Sequence, residues 1–303
     1  MFVTTCRLMV TQKSHHTSTS MQHPCNFLGA FYAMLFPQIS KRLLSTSLPR
    51  KMIIKPVPCL KDNYAYLLLD PQANQAAVVD PVEPNKVLAA LAEYPEYKLS
   101  AILTTHHHAD HAGGNLQLLK EFPDLPCYGG SDKVSGANHI VGHKESVKVG
   151  SLEVVPLSTP CHTMDHTCYY ISDNGKQAVF TGDCIFSSGC GRFFEGTAED
   201  MWKSIRTVAE LPDSTSMYFG HEYTVSNLRF AEHIESDNKE IKEKMAWAQR
   251  VGCTTPSTIQ NEKLTNPFFR VEQNSVQERV LGKGNKASAE EVLGKIRQMK
   301  DSF

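Results

Sequence analysis

The strongest constraint on this chain is a short stretch, residues 106–111, that contains four histidines and one aspartate. An apolar segment over 99–103 leads into it, and a segment with helical spacing over 115–122 follows it. In extended backbone, side chains two residues apart project to the same side, so His106 and His108 face a common point. Imidazoles and carboxylates beside an apolar strand are costly to desolvate unless a cation binds them. Because these groups suit zinc and iron, the stretch predicts binding of one or two transition metals.

The turn after these histidines indicates a second group of ligands close to the first. Gly113 and Gly114 permit a tight bend, which lets Asp110 and His111 aim at a neighbouring point. By the same alternation, the middle histidine, His107, points away from its neighbours, and we interpret it as structural or exposed. A run of three histidines could instead be a solvated loop. The flanking strand and helix, and the ligand types further along the chain, favour the metal site.

Three more side chains of ligand type follow predicted strands later in the chain. His162 lies in the sequence TPCHT, Asp183 in FTGD and His221 in GHEYT. Loops at strand ends are where a rigid sheet presents functional groups. Each of these residues alone is more often part of an ordinary turn. Their joint occurrence after the histidine stretch extends the predicted metal site to all three.

Length, charge and cysteine content limit the classes of protein to which the chain can belong. With 303 residues it is long enough for two domains with a sizeable core. The net charge of −1, without a basic stripe that contains aromatic residues, predicts no nucleic-acid partner. No uncharged apolar stretch reaches the roughly 18 residues of a membrane span, so no membrane partner is predicted. Nine cysteines without a CxxC pair indicate free thiols in a reducing compartment.

Residues 1–51 differ from the rest of the chain because they contain no Asp or Glu, while hydroxyl and basic residues are frequent. Such a leader is typical of a mitochondrial transit peptide, which predicts location in the mitochondrial matrix. The alternatives are a disordered extension or an artefact of an upstream start. Met52 begins the first convincing strand, so a product that starts there would lack the leader and remain in the cytoplasm.

Hydrophobic spacing predicts a mixed α/β domain over 52–221, followed by a helical domain over 222–303. Strands are predicted at 52–58, 64–70, 76–80, 99–105, near 127, and at 152–157, 167–172, 177–181 and 216–219. Helices are predicted at 85–94, 115–122, 198–210, 225–234, 239–250 and 289–300. The last of these helices begins with a capping box formed by Ser288 and Glu291.

Several sequence phrases around these residues resemble those of a known family. The phrases are THHHADHAGG, TPCHT, FTGD, GCGRFFEGTAEDM, GHEYT and NPFFRV. They are similar to motifs of the metallo-β-lactamase superfamily and, within it, of the hydroxyacylglutathione hydrolases, also called glyoxalase II. The resemblance runs from about Met52 to Phe303. It implies an α/β fold: a four-layer αββα metallo-β-lactamase sandwich with a C-terminal all-helical domain that binds substrate.

The resemblance also implies two divalent metal ions per chain and assigns their ligands. The first ion would be bound by His106, His108 and His162, and the second by Asp110, His111 and His221. Asp183 would bridge both ions. Zinc is the first candidate, and iron or a mixture stays open because all of these metals accept such ligands. Asp80 matches a family aspartate near the site that is not a ligand, and His166 is not a ligand in the family either.

By the same resemblance, the substrate is the thioester of an S-(2-hydroxyacyl)glutathione, with S-D-lactoylglutathione as the first candidate. Two dications about 3.5 Å apart lower the pKa of a water enough to leave hydroxide at neutral pH. This hydroxide would attack the thioester carbonyl, with Asp110 and Asp183 as the catalytic residues. The products would be glutathione and a 2-hydroxy acid such as D-lactate, in the second step of methylglyoxal detoxification.

Five residues match family positions that contact glutathione, whose carboxylates require a cationic clamp. They are Arg192, Phe194, Tyr223, Arg297 and Lys300. Arg297 and Lys300 share a face of the last predicted helix, which without the resemblance would be interpreted as a solvated face. Phe194 departs from the tyrosine of some members, so a hydrogen bond worth about 0.5–1.5 kcal/mol is absent and glutathione binding should weaken modestly.

Two other functions stay open at the level of the sequence. One is a persulfide dioxygenase-like enzyme of the same superfamily with a single iron. The C-terminal domain and the complete two-metal ligand set argue against it. The other is a non-catalytic paralogue that binds a partner through its helical domain, and the intact ligands argue against that. We expect a monomer whose partner is the small-molecule thioester.

Overall fold

Two six-stranded sheets form the centre of the structure, a computed structural model that describes residues 50–303. The predicted leader over 1–51 lies outside the described residues, apart from Arg50 and Lys51. All of the described residues belong to one compact unit. Among them, no helix combines the length and the apolar character that crossing a bilayer requires.

The first sheet contains six strands that follow one another in space in chain order. They are β1 (Ile53–Cys59), β2 (Asn63–Asp70), β3 (Gln75–Val79), β4 (Lys98–Leu103), β5 (Cys127–Gly129) and β6 (His139–Ile140). The first three strands pair antiparallel, and β3 to β6 pair in parallel. Because β4 ends at the buried residue Leu103, the histidine stretch begins where this strand leaves the sheet.

The second sheet is built from the later strands, and a two-stranded ladder stands beside it. The strands are β7 (Val147–Val149), β8 (Leu152–Ser158), β9 (Thr167–Asp173), β10 (Lys176–Gly182), β11 (Ile185–Phe186), β12 (Gly189–Cys190), β13 (Ser216–Phe219) and β14 (Ser257–Thr258). Their order in the sheet is β14-β13-β10-β9-β8-β7, and β11 pairs with β12 in the small ladder. The central strand β10 pairs antiparallel with β9 and parallel with β13.

Nine helices lie in the described part of the chain. They are α1 (Pro84–Ala92), α2 (Ala109–Ala112), α3 (Asn115–Glu121), α4 (Ala198–Ala209), α5 (Thr224–Ile234), α6 (Lys239–Ala248), α7 (Ile259–Thr265), α8 (Asn274–Leu281) and α9 (Ala289–Asp301). The capping box predicted for the last helix is confirmed, since Ser288 and Glu291 exchange side chain–backbone hydrogen bonds at the start of α9.

The alternation of side chains along β2 shows how the layers form. Leu67 and Leu69 belong to a cluster that includes Val87 of α1 and Leu118 of α3. The residues between them, such as Leu68, belong instead to a larger cluster that includes the second sheet and α4. Helices therefore cover the outer face of each sheet, and the inner faces meet. This confirms the predicted αββα sandwich with a helical C-terminal part.

Every predicted strand and helix is found, with ends within two residues of the prediction. The elements that the sequence did not predict are short: β6, β7, β11, β12, β14, α2, α7 and α8. The C-terminal helices share the larger cluster with the sheets, for example through Phe230, Val276 and Ile296. The hydrophobic core therefore continues across the predicted domain boundary at residues 221 and 222.

Candidate active site

Seven side chains converge at one edge of the sandwich, where strands from both sheets end. They are the seven predicted metal ligands: His106, His108, Asp110, His111, His162, Asp183 and His221. The first four follow β4 of the first sheet, and the other three follow β8, β10 and β13 of the second sheet. The structure thus brings together residues that lie more than 100 positions apart, and both sheets contribute to one site.

Three histidines form a first group, in which ring nitrogens face one another. His108 Nδ1 lies 3.1 Å from His106 Nε2 and 3.1 Å from His162 Nε2. His106 and His162 are buried, and His108 is partly exposed to the adjacent cavity. These three nitrogens can therefore bind one cation together.

Two histidines and an aspartate form a second group beside the first. His111 Nε2 and His221 Nε2 are 3.3 Å apart. Asp110 Oδ2 lies 3.4 Å from the His221 nitrogen and 3.7 Å from the His111 nitrogen. The amide of Asn63 donates to this carboxylate over 3.1 Å and to the Asp110 carbonyl over 3.0 Å, which holds the aspartate in place.

The Asp183 carboxylate lies between the two groups. Its Oδ1 is 3.2 Å from His111 Nε2, and its Oδ2 is 3.3 Å from His221 Nε2 and 3.6 Å from His162 Nε2. Gly220 makes this placement possible, because a Cβ there would stand only 2.3 Å from Asp183 Oδ1. One carboxylate thus faces both groups, as a bridging ligand must.

Hydrogen bonds behind the imidazoles fix which ring nitrogen carries the proton. The Nδ1 atom of His221 lies 2.8 Å from Asp62 Oδ1, and that of His162 lies 3.0 Å from the Arg192 carbonyl oxygen. Both partners are pure acceptors, so each Nδ1 donates and, in the neutral ring that binds metal, each Nε2 keeps a lone pair. The same holds for His111, whose Nδ1 is 3.0 Å from Asp80 Oδ2.

His106 is held in the same way through an intermediate hydroxyl. Thr105 Oγ1 donates to Asp80 Oδ2 over 2.8 Å, and it therefore accepts from His106 Nδ1 over 3.0 Å. Lone pairs of four Nε2 atoms then face one another and the Asp183 carboxylate. Such an arrangement is repulsive without a positive charge at its centre.

The spacing of the donor atoms provides a second test of whether the residues fit metal ions. Nitrogen donors at about 2.0–2.1 Å from a tetrahedral ion stand roughly 3.3 Å apart. The five pairs of donor atoms described above are 3.1–3.7 Å apart. Both the tautomers and the distances therefore fit two adjacent divalent ions.

Burial and charge set the protonation of these ligands. Burial lowers the pKa of His162 to about 4 and that of His106 well below its usual range, so both are neutral, the form that binds metal. Burial also lowers the pKa of His221, but hydrogen bonds to Asp110 and Asp183 outweigh this effect and raise it to about 10. The two carboxylates therefore favour a positive charge beside His221 Nε2, and a metal ion that binds there takes the place of the proton.

A cavity of about 780 Å³ opens beside the ligands and contains all five predicted substrate contacts. Phe186, Phe194 and Tyr223 line it near the metal ligands, and the Phe194 ring centroid is 5.1 Å from that of His162. The far end is lined by side chains of α5 and α9 and by the C-terminal aromatic ring, namely Asn227, Arg229, Phe230, Arg297, Lys300 and Phe303.

The two cations of α9 have different surroundings. Lys300 hydrogen-bonds Asn227 and lies 5.4 Å from the centroid of the Phe230 ring. Burial, and then the charge of Arg297, lower the pKa of Lys300 to about 8. The Arg297 guanidinium is buried and donates to the Cys190 carbonyl over 3.0 Å and to Asp301 over 2.9 Å. Arg297 thus ties α9 to β12 as well as lining the cavity.

Some residues of the site carried no signal in the sequence. Asp62 lies in the turn between β1 and β2 and Asn63 is the first residue of β2, yet they contact His221 and Asp110 across the molecule. Asn227 reaches Lys300 from another helix. Among the residues that hold the ligands, only Asp80 could be located from the sequence, because it matches a family position. These contacts depend on the tertiary fold, so residue spacing could not reveal them.

The fold and the ligand geometry define a metallo-β-lactamase-type protein. The family model described as metallo-beta-lactamase superfamily matches residues 61–221, and the model described as hydroxyacylglutathione hydrolase C-terminus matches residues 222–303. With the relatives described next, these matches show that the chain belongs to the hydroxyacylglutathione hydrolase family of this superfamily.

Curated relatives and a solved structure are similar over most of the chain. The cytoplasmic hydroxyacylglutathione hydrolase of Arabidopsis thaliana is 46% identical over 258 residues, which cover 82% of this chain and 97% of the relative. The hydroxyacylglutathione hydrolase of Dictyostelium discoideum is 40% identical over 271 residues, covering 83% and 100%. The crystal structure of ETHE1 from Myxococcus xanthus superposes with a TM-score of 0.60 at 27% identity, covering 82% of this chain and 90% of that one.

Proposed function

We propose that this protein hydrolyses the thioester of S-(2-hydroxyacyl)glutathione, with S-D-lactoylglutathione as the physiological substrate. The products are glutathione and a 2-hydroxy acid, D-lactate, which is the second step of methylglyoxal detoxification. The observation that carries the proposal is one cavity with two different ends: two adjacent cation-binding groups at one end and cationic side chains at the other. Relatives named hydroxyacylglutathione hydrolase at 40–46% identity support the same activity.

We propose zinc as the metal in both groups, with iron or a mixture as the alternative, because imidazole and carboxylate ligands suit all of them. When bound, two such ions supply an acidified water and Lewis acidity at the thioester carbonyl. Asp183 and Asp110 are the carboxylates that hold this centre, and their negative charge balances that of the ions. For this reason we propose Asp110 and Asp183 as the catalytic residues.

The other end of the cavity supplies recognition. Glutathione carries two carboxylates, and Arg192 and Lys300 present cationic groups toward the space in which these would lie. Arg297 holds α9 in place and adds its charge. Phe194 and Tyr223 form apolar walls near the metal ligands, where the acyl group is attached. A substrate that spans the cavity thus has its thioester at the ligands and its carboxylates at α9.

The leaving group explains why the site contains few acids. Among the described residues that line the cavity, Asp110 and Asp183 are the only ones with a carboxylate side chain, and both belong to the ligand groups. A thiol has a pKa of about 8.5, so its thiolate leaves without a strong general acid. The side chains of this site therefore suit a thioester better than an amide.

The test uses purified protein and one sample for two measurements: metal content per chain and hydrolysis of S-D-lactoylglutathione. We expect two divalent ions per chain and turnover that a chelator abolishes and added zinc restores. The lactoyl thioester of N-acetylcysteamine, which lacks both carboxylates of glutathione, should be a much poorer substrate. A single iron per chain with oxygen consumption on glutathione persulfide would instead establish the dioxygenase alternative.

We further propose that residues 1–51 direct the chain to the mitochondrial matrix and that a product starting at Met52 stays in the cytoplasm. The support is the acid-free, basic composition of this leader. Fluorescent fusions of the full chain and of the Met52-start form should differ in location, and identical distributions would contradict the proposal. We also propose a monomer, because the described residues of a single chain are enough to form both ligand groups and both ends of the cavity.

A further inference from the structure

His107 stands between two metal ligands in the sequence but contacts neither ligand group through its ring nitrogens. Its Nδ1 lies 2.8 Å from Asp165 Oδ1, outside the ligand cluster. The His107 side chain is 22% exposed and that of Asp165 only 3%. A buried carboxylate is thus paired with a half-buried imidazole at the outer edge of the metal centre.

Asp165 is itself firmly held. Its Oδ2 accepts a hydrogen bond from Ser131 Oγ over 3.3 Å, and its carbonyl accepts one from Thr167 Oγ1 over 3.3 Å. Gly130 packs so closely that a Cβ there would stand 2.0 Å from the Asp165 carbonyl oxygen. Asp165 is therefore a fixed point to which His107 can be anchored.

This fixed point lies in the loop that carries the ligand His162. The loop, residues 159–166, joins β8 to β9 of the second sheet, while His107 follows β4 of the first sheet. Among the described residues, and apart from contacts between ligand atoms, the His107–Asp165 pair is the side chain–side chain hydrogen bond that joins residues 106–108 to this loop.

A third segment meets the other side of the His107 ring. His107 Nε2 lies 3.9 Å from Glu195 Oε1. The other oxygen of Glu195 accepts a hydrogen bond from the backbone N–H of Met164 over 2.6 Å, in the same loop as Asp165. Glu195 follows Phe194, which lines the cavity. His107 is thus enclosed by the loop of His162 and by the segment that forms the cavity wall.

We propose that His107 and Asp165 form a clamp that positions the first ligand group. The three histidines of that group come from two separate loops, and their nitrogens must stay about 3.3 Å apart to share one ion. A metal site loses affinity when the residues that support its ligands are free to move. His107 therefore acts as a positioning residue: it keeps His108 and His162 at the distance that one ion requires.

Two amide substitutions separate the hydrogen bond from the bulk of the ring. The amide of asparagine stands where Nδ1 of histidine would be, so His107→Asn keeps a donor toward Asp165. The amide of glutamine reaches the position of Nε2, so His107→Gln keeps volume but loses that donor. His139→Ala is the control, because His139 is an exposed histidine on β6.

The measurement is retention of zinc by each zinc-loaded holoenzyme against a graded competing chelator, with circular dichroism to check folding. We expect His107→Gln and His107→Ala to lose one of the two ions at least roughly tenfold more readily than wild type, in the range typical of lost supporting contacts. His107→Asn and the His139→Ala control should stay within about threefold of wild type. Asp165→Ala should lose zinc as readily as His107→Ala. The double variant should lose zinc no more readily than either single variant, since all three lack the same contact.

Equal retention of both ions by wild type, His107→Gln and Asp165→Ala would overturn the clamp. The inference rests on the two-metal centre of the proposed function, but its readout is metal retention and not turnover. If wild type itself holds fewer than two ions per zinc-loaded chain, the two-metal proposal fails. If wild type holds two and the variants do as well, only the clamp fails.

Discussion

Asp183 is the side chain that faces both ligand groups, since its two oxygens lie next to His111 on one side and His221 and His162 on the other. Asp183→Asn keeps the shape of the side chain and removes its charge. We expect loss of at least one metal ion and a fall in turnover of more than roughly 100-fold. That figure is the upper end of the loss seen when a residue that only supports a metal ligand is changed. Metal analysis and thioester hydrolysis on the same sample test this.

A matched control for that substitution is Asp124→Asn, which makes the same change on an exposed residue before β5. The control should retain both ions and full turnover. If Asp183→Asn behaved like the control, Asp183 would not bridge the two groups and our assignment of the ligands would be wrong.

We predict that Lys300 makes recognition of the substrate dependent on pH. Its pKa is lowered to about 8 by burial and by the charge of Arg297, so the ammonium is present below pH 8 and is lost as the pH rises further. A carboxylate bound to Lys300 should therefore be held less tightly above that pH. We expect KM to rise there, approaching the roughly 10- to 150-fold that loss of a charged hydrogen bond of about 1.5–3 kcal/mol implies.

The control for this pH dependence is Lys300→Arg, because arginine stays charged throughout this range. KM of the arginine variant should change much less between pH 7 and pH 9.5 than KM of wild type. Parallel profiles for the two proteins would show that another group, on the substrate or the protein, titrates instead.

At this scale the sequence revealed the side chains of ligand type but not the residues that hold them. Motif phrases located all seven side chains that the structure brings together. They could not locate Asp62, which lies 159 residues from its partner His221, or Asp165, which lies 58 residues from His107. A single aspartate in a turn has no periodic pattern, and only the folded chain shows what it faces.

At the scale of elements, a buried ion pair joins the helices to the cavity wall. Lys244 of α6 is 2.8 Å from Glu262 of α7, and Glu262 also accepts from the backbone N–H of Ser188, between β11 and β12. Lys244→Met should leave a buried carboxylate without its cation, at a cost of about 3–5 kcal/mol. We expect Tm to fall by roughly 10 °C in a calorimetric or fluorescence melt.

The control for the ion pair is Lys263→Met, at the residue that directly follows Glu262 on α7. Lys263 pairs with Asp213 over 2.6 Å, but the two side chains are 41% and 58% exposed. Solvent screens such a pair, which contributes about 0–1 kcal/mol, so Tm should shift by less than about 3 °C. Equal shifts for the two lysine variants would mean that the buried pair adds no more than a surface pair.

The length of an element decides whether it could be predicted from the sequence. Helices α4, α5 and α9 have 12, 11 and 13 residues, enough turns for helical spacing to show. Helix α7 has 7 residues and β14 only 2, so neither repeats a pattern. Yet α7 carries Glu262, and a short element that no pattern reveals therefore connects the helical part to the site.

At the scale of the whole molecule, the sequence and the structure describe the C-terminal part differently. A change from mixed to helical patterning near residue 221 predicts two domains. The larger buried cluster nevertheless includes nine side chains from beyond that residue: Phe230, Ile234, Ile259, Phe268, Val271, Val276, Val292, Leu293 and Ile296. Periodicity reveals what kind of element a segment forms, but not which core the element joins.

A chain that ends at His221 should therefore fail to fold, and not merely lose substrate binding. Burying a large apolar side chain contributes about 1.5–3 kcal/mol, so the packing of nine of them against the sandwich is worth roughly 13–27 kcal/mol, as much as or more than the roughly 5–15 kcal/mol that stabilises a typical protein. We expect residues 50–221 to be insoluble or to bind a hydrophobic dye without a cooperative melt, while residues 50–303 melt cooperatively. A truncated chain that melted cooperatively and retained two zinc ions would show instead that the sandwich is an independent domain, and that the helical part serves recognition alone.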